Sequence, residues 1–402
     1  MVHSTVAGSR KRGTARSFVA ASGANLVANA TWWMQPLLMH ELVTSRGLGE
    51  VAAGIVISAE MGAMALASVL ANRLLVGRSL HAVALAGTLL ALFGSGLTLL
   101  VDGYGALLAA RVVTGAGAGC ALMMANAAAT HFDDPDKTFA RLAVGNIVFG
   151  IVLTGCIPYL TAAFGEVRPF VLTFASMVLL VPILLFMPRD LLVEAPHHAG
   201  GRTDPAALRN IAILALATFA IGCASGIMWV YYAMIGERLG LTLEQIDGAI
   251  SMAIFSSLLA AALASAIGGR FGRVVPIGIG LAVLTGAILA LSKTDSVTVF
   301  RGATMFNISA IYFLTPYLFG AGAAQDESGR GAVYVGSAFY FTGAIAPAAG
   351  GALSTSVGIG VMGIATLVIC IAAFFGIVFV QRTARGGSSG SPGAGAQATV
   401  RA

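Results

Sequence analysis

A glutamate stands in an otherwise uncharged run, VISAEMGAM, as Glu60. A charge at the centre of a bilayer costs about 2.5–3.5 kcal/mol on insertion scales, so an ionisable residue placed there is a functional candidate by default. Burial disfavours the ionised form of a carboxyl, which suits a group that loads and releases a proton. Three readings stand for Glu60: a proton carrier, a carboxylate neutralised by a fixed partner such as Arg111, or an acid simply carried protonated. Arg111 and Arg301 are the two basic residues inside apolar runs. Arg111 could bind a substrate anion, repel a proton from Glu60, or hydrogen-bond neighbouring carbonyls. Arg301, near the start of its run, suits a side chain that snorkels to the interface.

Two further runs carry polar and aromatic residues at helical spacing. One holds Asn25, Asn29, Trp32 and Pro36, and the other Gly222, Ser225, Trp229 and Tyr232. Such stripes suit an amphipathic or aromatic organic molecule. Their tryptophans also suit an interfacial aromatic belt. Trp33 and Tyr231 fall on other faces and are assigned to packing or lipid contact. Gln35, Asn126, Asn146, Asn307 and Tyr340 are polar residues within apolar runs. Each would touch substrate or make an interhelical hydrogen bond, worth about 0.6 kcal/mol on average.

Other chemistry finds little support. Cys120, Cys156, Cys223 and Cys370 all lie in apolar runs without metal or disulfide spacing. His197 and His198 are adjacent in a polar segment and read as solvated. Asp133, Asp134 and Asp136 beside Lys137 and Arg141 read as a solvated turn. No GxxxxGK[ST] loop is present, so no ATP site is expected. No run holds paired acid and base residues or a histidine cluster, which argues against an enzyme. Neither cofactor nor metal is expected.

The elements that must position these residues follow from composition. Of 402 residues 57% are hydrophobic and 10% charged, with mean hydropathy +0.89. A soluble domain carries about 25% charged residues. The apolar runs are long enough for membrane helices, which need about 20 residues. We count twelve spans between residues 18 and 381. They form an N-terminal half over 18–188 and a C-terminal half over 210–381. A cytoplasmic segment covers 1–17, a cytoplasmic linker 189–209, and a disordered tail 382–402. The first span, behind Arg10, Lys11, Arg12 and Arg16, reads as a retained helix rather than a cleaved signal.

Loop charges test the count. With the N-terminus in the cytoplasm, seventeen of 23 Lys and Arg fall inside. The four outside are Arg46, Arg168, Arg238 and Lys293. Acidic residues divide evenly between the sides, with Glu60 alone left in a span. The bias in Lys and Arg alone is that of the positive-inside rule, so the net charge of +6 reports topology rather than nucleic-acid binding.

The halves repeat in register: Trp32 pairs with Trp229, Arg73 with Arg270, Arg111 with Arg301 and Pro158 with Pro347. Internal repeats of this kind place a substrate site between the halves near the midplane.

Several motifs, in their spans, resemble the major facilitator superfamily of transporters over residues 17–381. SVLANRLLVGR, Ser68–Arg78, resembles the family's G-x-L-A-D-R-x-G-R-R loop through Leu70, Ala71, Arg73, Gly77 and Arg78, with Asn72 in place of the usual Asp. SAIGGRFGR, Ser265–Arg273, is its counterpart in the second half, carrying Arg270, Gly272 and Arg273, with Gly269 at the acidic position. RVVTGAGAG resembles the family's R-x-x-x-G-x-G pattern through Arg111, Gly115 and neighbouring glycines up to Gly119, and glycines there allow close helix contact. GAIAPAAGG around Pro347 resembles the family's kinked eleventh helix, and GIVLTGCIPY around Pro158 is a looser version.

The resemblance implies an all-α membrane protein, twelve helices in two pseudo-symmetric six-helix halves, working by alternating access. It implies that the first and seventh spans line the cavity. The expected substrate-binding set is Asn29, Trp32, Arg111, Asn126, Asn146, Trp229, Tyr232, Asn307 and Tyr340, with Glu60 coupling protons. The expected gating set is Asn72, Arg73, Gly77, Arg78, Arg270, Gly272, Arg273, Gly115, Gly119, Pro158 and Pro347. Expected partners are the lipid bilayer, a small organic substrate and H+, in a monomer that binds no nucleic acid. A bacterial inner membrane with both termini cytoplasmic is the expected location. Efflux by proton antiport is favoured over symport of a small organic anion. A non-transporting sensor or assembly partner on the same fold is the further alternative.

Overall fold

The structure is a computed structural model of the chain and describes residues 13–193, 205–325, 330–356 and 358–388. The long apolar runs are helical, because a backbone in hydrocarbon must satisfy its own polar groups. In chain order they are α1 (Ala15–His40), α2 (Glu50–Leu74), α3 (Leu80–Leu100), α4 (Tyr104–Ala129), α5 (Pro135–Gly155), α6 (Ile157–Phe164) and α7 (Pro169–Leu184). After the linker come α8 (Pro205–Arg238), α9 (Leu243–Ile267), α10 (Val274–Lys293), α11 (Val297–Ala323), α12 (Arg330–Ser356) and α13 (Ile359–Ser388). A π-helical turn, Glu41–Ser45, continues α1. Among the described residues the one β pairing is an isolated bridge between Ser79 and Leu192.

Among the described residues ten stretches are long and apolar enough to cross a membrane, α5 and α6 counting as one. The expected fifth span, 142–163, is thus two helices. Pro158 sits in the first turn of α6, cannot donate a backbone hydrogen bond, and so marks the break at Cys156. α7 has 16 residues. α1 has 26 and carries Asn25, Asn29 and Gln35. Two expected boundaries move: α8 takes Pro205–Arg209 from the linker, and α13 continues past Gln381 to Ser388, so the tail begins as helix. His197 and His198, and the tail beyond Ser388, lie outside the described residues.

Within the first half, α4 lies directly on α2. A side chain on Gly115 would run into the carbonyl oxygen of Glu60, and one on Gly119 into that of Met64. The end of α1 is tied to the start of α7. Glu41, buried, accepts from the Phe170 N–H at 2.9 Å and pairs with Arg168 at 3.1 Å.

The halves, α1–α7 and α8–α13, meet through α2 with α12, α1 with α8, and α5 with α9. Among the described residues, side-chain links between them gather at the ends remote from the interhalf linker, here called the far side. His40 on α1 pairs with Glu237 on α8 at 3.2 Å. Glu50, opening α2, pairs with Arg238 at 3.6 Å and accepts from the Ser354 hydroxyl on α12. The Ala348 N–H donates to Ser58 Oγ at 3.0 Å. Thr154 and Ser251 join α5 to α9 at 2.8 Å. A side chain on Gly54 would strike the Pro347 carbonyl, so Pro347 marks the tightest α2–α12 crossing.

Candidate functional site

Toward the linker side the α2–α12 surfaces separate. On α12 the stripe Ala344, Pro347 and Gly351 meets Gly62, Gly54 and Glu50 on α2. Residues three or four apart share a helix face. Continued toward the linker, that stripe carries Tyr340 and Val333, 60% and 66% exposed. On α2 the matching continuation carries Leu66 and Val69, also exposed. The interhalf seam is thus closed at the far side, and the space between its facing stripes is uncovered toward the linker.

Just above its closed end stands an aromatic cluster. Trp229 donates from Nε1 to the Trp32 carbonyl at 3.3 Å, crossing from α8 to α1. Trp33 meets Trp229 edge-on at 6.3 Å between centroids and stacks on Tyr312 of α11 at 6.4 Å. Its indole N–H donates to Asn146 at 3.1 Å. Trp32 is half-buried and faces Gly343 of α12. The assignment of Trp33 to packing or lipid is corrected in part: it is 1% exposed and packs in the interhalf cluster, away from lipid. Tyr231 is buried and reaches Ser354 at 3.1 Å.

Other candidate residues divide by exposure. Asn29 is half-buried and donates to the Asn25 carbonyl at 2.8 Å. Asn126, near the linker-side end of α4, is exposed, as is Tyr340. Tyr232 and Asn307 are fully buried and hydrogen-bond each other, and Ser225 donates to Asn307 at 3.1 Å. Arg301 is exposed, in keeping with a snorkelling side chain.

Glu60 and Arg111 meet away from that space. Arg111 Nε donates to Glu60 Oε2 at 2.9 Å, and Nη2 donates to the same oxygen. Nη2 also reaches Thr31 Oγ1 at 3.3 Å. The guanidinium lies over the Phe170 ring, 5.2 Å from its centroid. The pair thus joins α1, α2, α4 and α7, and Gly115 fixes its spacing by letting α4 approach the Glu60 backbone. Glu60 Oε1 and Arg111 Nη1 find no hydrogen-bond partner among the described residues.

The gating candidates occupy two loops and the helix crossings. Asn72 is half-buried, and Arg73 and Arg78 are exposed. Gly77 has φ +77°, a left-handed turn favouring glycine. The linker clips this loop through its backbone. Gly77 N–H donates to Val193 O at 2.9 Å, Val193 N–H to Arg78 O at 2.9 Å, and Leu80 N–H to Leu191 O at 2.8 Å. In the second half, Gly272 has φ +67°, Arg270 is exposed, and Arg273 extends toward Gly320.

Sequence reasoning missed Asp247. Counted among outer-loop acids, it lies on α9 with 0% exposure, so Glu60 is not the one buried acid within a span. Its signal was its position, five residues after Thr242, where a capping box with Gln245 starts α9. Thr31, Phe170 and Tyr312 carried no signal above the surrounding apolar pattern.

No family model and no curated protein matches the sequence. Solved structures do match in shape. The nucleoside transporter NupG aligns at TM-score 0.69 and 14% identity, over 91% of this chain and 98% of that one. The peptide transporter POT, in complex with sulfate, aligns at 0.71 and 12% identity, over 91% and 95%. A bacterial homologue of the human lysosomal transporter Spinster, inward-facing and unoccupied, aligns at 0.64 and 14% identity, over 92% of both chains. The fold is the all-helical fold of these transporters. This bears out the major facilitator resemblance read from the motifs at the level of fold.

Proposed function

We propose that the chain is a secondary transporter that moves a small organic molecule across a membrane by alternating access. One observation carries the reading: among the described residues the side-chain links between the halves gather at the far side, while the facing stripes of α2 and α12 are exposed toward the linker. Two pseudo-symmetric halves joined at one end and open at the other are what a rocking mechanism requires. If the Lys/Arg-rich linker side is cytoplasmic, this is the inward-open arrangement.

The aromatic and amide groups around the space (Trp32, Asn29, Asn126, Tyr340) favour a neutral or weakly charged aromatic or amphipathic substrate. Arg111 gives little support to a substrate carboxylate, because it is buried and committed to Glu60. Coupling to H+ at Glu60 fits a carboxylate that would release its arginine on protonation, and export by antiport remains the favoured direction.

The test is reconstitution in proteoliposomes with an internal pH dye and a panel of compound classes. Substrate-dependent proton movement in the wild type, lost in Glu60→Gln, is expected. Substrate flux with proton movement equal in both proteins overturns coupling at Glu60. An assembly partner that never carries flux predicts that linker-side and far-side distances stay fixed under all conditions.

A further inference from the structure

Asp247 is buried among groups that do not satisfy it. Both carboxylate oxygens lack a hydrogen-bond partner among the described residues. Burying an ionised carboxylate unpaired costs far more than burying the neutral acid. The residue therefore sits in this arrangement as the acid.

Its position makes that protonation conformational. Asp247 lies one helical turn toward the far side from Ser251, on the same face of α9. Ser251 bonds Thr154 across the interhalf contact, a side chain on Gly155 would meet Ser251 Oγ, and α6, just past the break at Cys156, also contacts α9. The α5–α6 break of the opposite half thus packs on the face of α9 that carries Asp247. Parting α5 from α9 at the far side would uncover the carboxyl to water and remove the reason for its neutrality.

The ionisable groups that face it are Cys156 from the break and Glu244 one turn earlier on α9. Glu244 is exposed and, being acidic, opposes a charge on Asp247. Charges on the neighbouring helix ends are committed elsewhere: Glu237 to His40 and Arg238 to Glu50. Arg301 on α11 is exposed.

We infer that Asp247 is a proton-binding site of the far-side gate, separate from Glu60, protonated when α5 and α9 close and ionised when they part. An O–H bond forms on a carboxylate oxygen as the gate closes, with the proton drawn from far-side water. The same bond breaks and the proton returns to that water as the gate opens. The inference rests on the alternating-access reading and gives that cycle a second proton, taken on the far side.

Distances between spin labels test it without substrate. On a background with all four cysteines replaced by alanine, Phe164→Cys and Ser296→Cys report the far side. Leu74→Cys and Val333→Cys report the linker side. Protonation on closing means the closed far-side population must rise as pH falls. The closed-to-open ratio should change by up to about tenfold per pH unit in the titrating range. Asp247→Asn, and Asp247→Ser as a second neutral variant, should stay closed at every pH. Both distances moving with pH alike in wild type and Asp247→Asn overturns the assignment alone. Both pairs staying fixed in every protein overturns the alternating-access reading, and the inference with it.

Discussion

Arg111 places two nitrogens on a single oxygen of Glu60, Oε2, where both side chains are 1% exposed. The other carboxylate oxygen and the third guanidinium nitrogen are left without partners among the described residues. The pair is therefore complete as a charge pair and incomplete as a hydrogen-bond network. Neutralising either member leaves the other charge buried.

That asymmetry sets the first expectation. Removing one partner of a buried pair costs about 3–5 kcal/mol, while replacing both with neutral groups is far less costly. Arg111→Met should lower the thermal unfolding midpoint in detergent strongly, and Glu60→Gln with Arg111→Met together should recover at least half the loss. A double variant no more stable than Arg111→Met would mean the charge pair is not what holds α2 to α4.

The α2–α4 crossing is testable on its own. Gly115→Val drives a branched side chain into the Glu60 backbone, whereas Gly105→Ala meets nothing within 4 Å. Overpacking costs about 1–3 kcal/mol or more. The first variant should unfold at markedly lower temperature, and the second should match the wild type.

The far-side closure depends partly on the indole N–H of Trp229. Trp229→Phe keeps an aromatic ring and removes the bond to the Trp32 carbonyl. A hydrogen bond contributes about 0.5–1.5 kcal/mol, so the open population should rise about two- to tenfold. Labelling of half-buried Cys156 by a membrane-impermeant maleimide, read by peptide mass, should speed up by that factor. An unchanged rate would place the closing energy in the helix crossings instead.

The linker clip should respond to loss of one donor. Val193→Pro removes the N–H that bonds the Arg78 carbonyl. Trypsin cleavage after Arg189 should then accelerate about fivefold, since proteolysis follows the open population when opening is fast. Cleavage at the wild-type rate would show that the remaining bonds, from the Gly77 and Leu80 N–H groups to the Val193 and Leu191 carbonyls and from Ser79 Oγ to the Arg189 carbonyl, hold the clip without it.

Much of the architecture was legible because lipid leaves a backbone few options. Apolar runs gave the helices, Lys and Arg in loops gave alternation, and Trp32 and Trp229, paired as repeat landmarks, touch in space. Glu60 and Arg111 were each visible as charges in apolar runs, with Arg111 as one possible partner. The site's finer composition was not legible. Trp33 was set aside because a helix wheel gives a face but not what covers it, and α8 and α11 cover that face. Tyr232 and Asn307 appeared as cavity residues because polarity in a span does not say whether a neighbouring helix already satisfies it. Asp247 sits in the first turns of α9, where a loop acid and a buried one look alike.

The clip on the first-half loop also sets the leash between the halves. With Val193 anchored beside Gly77 and α8 starting at Pro205, the chain joining them reaches at most about 43 Å. Freed as far as Arg189, the same connection would reach at most about 58 Å. Three backbone hydrogen bonds thus decide how wide the mouth of the protein can gape before its own chain pulls taut.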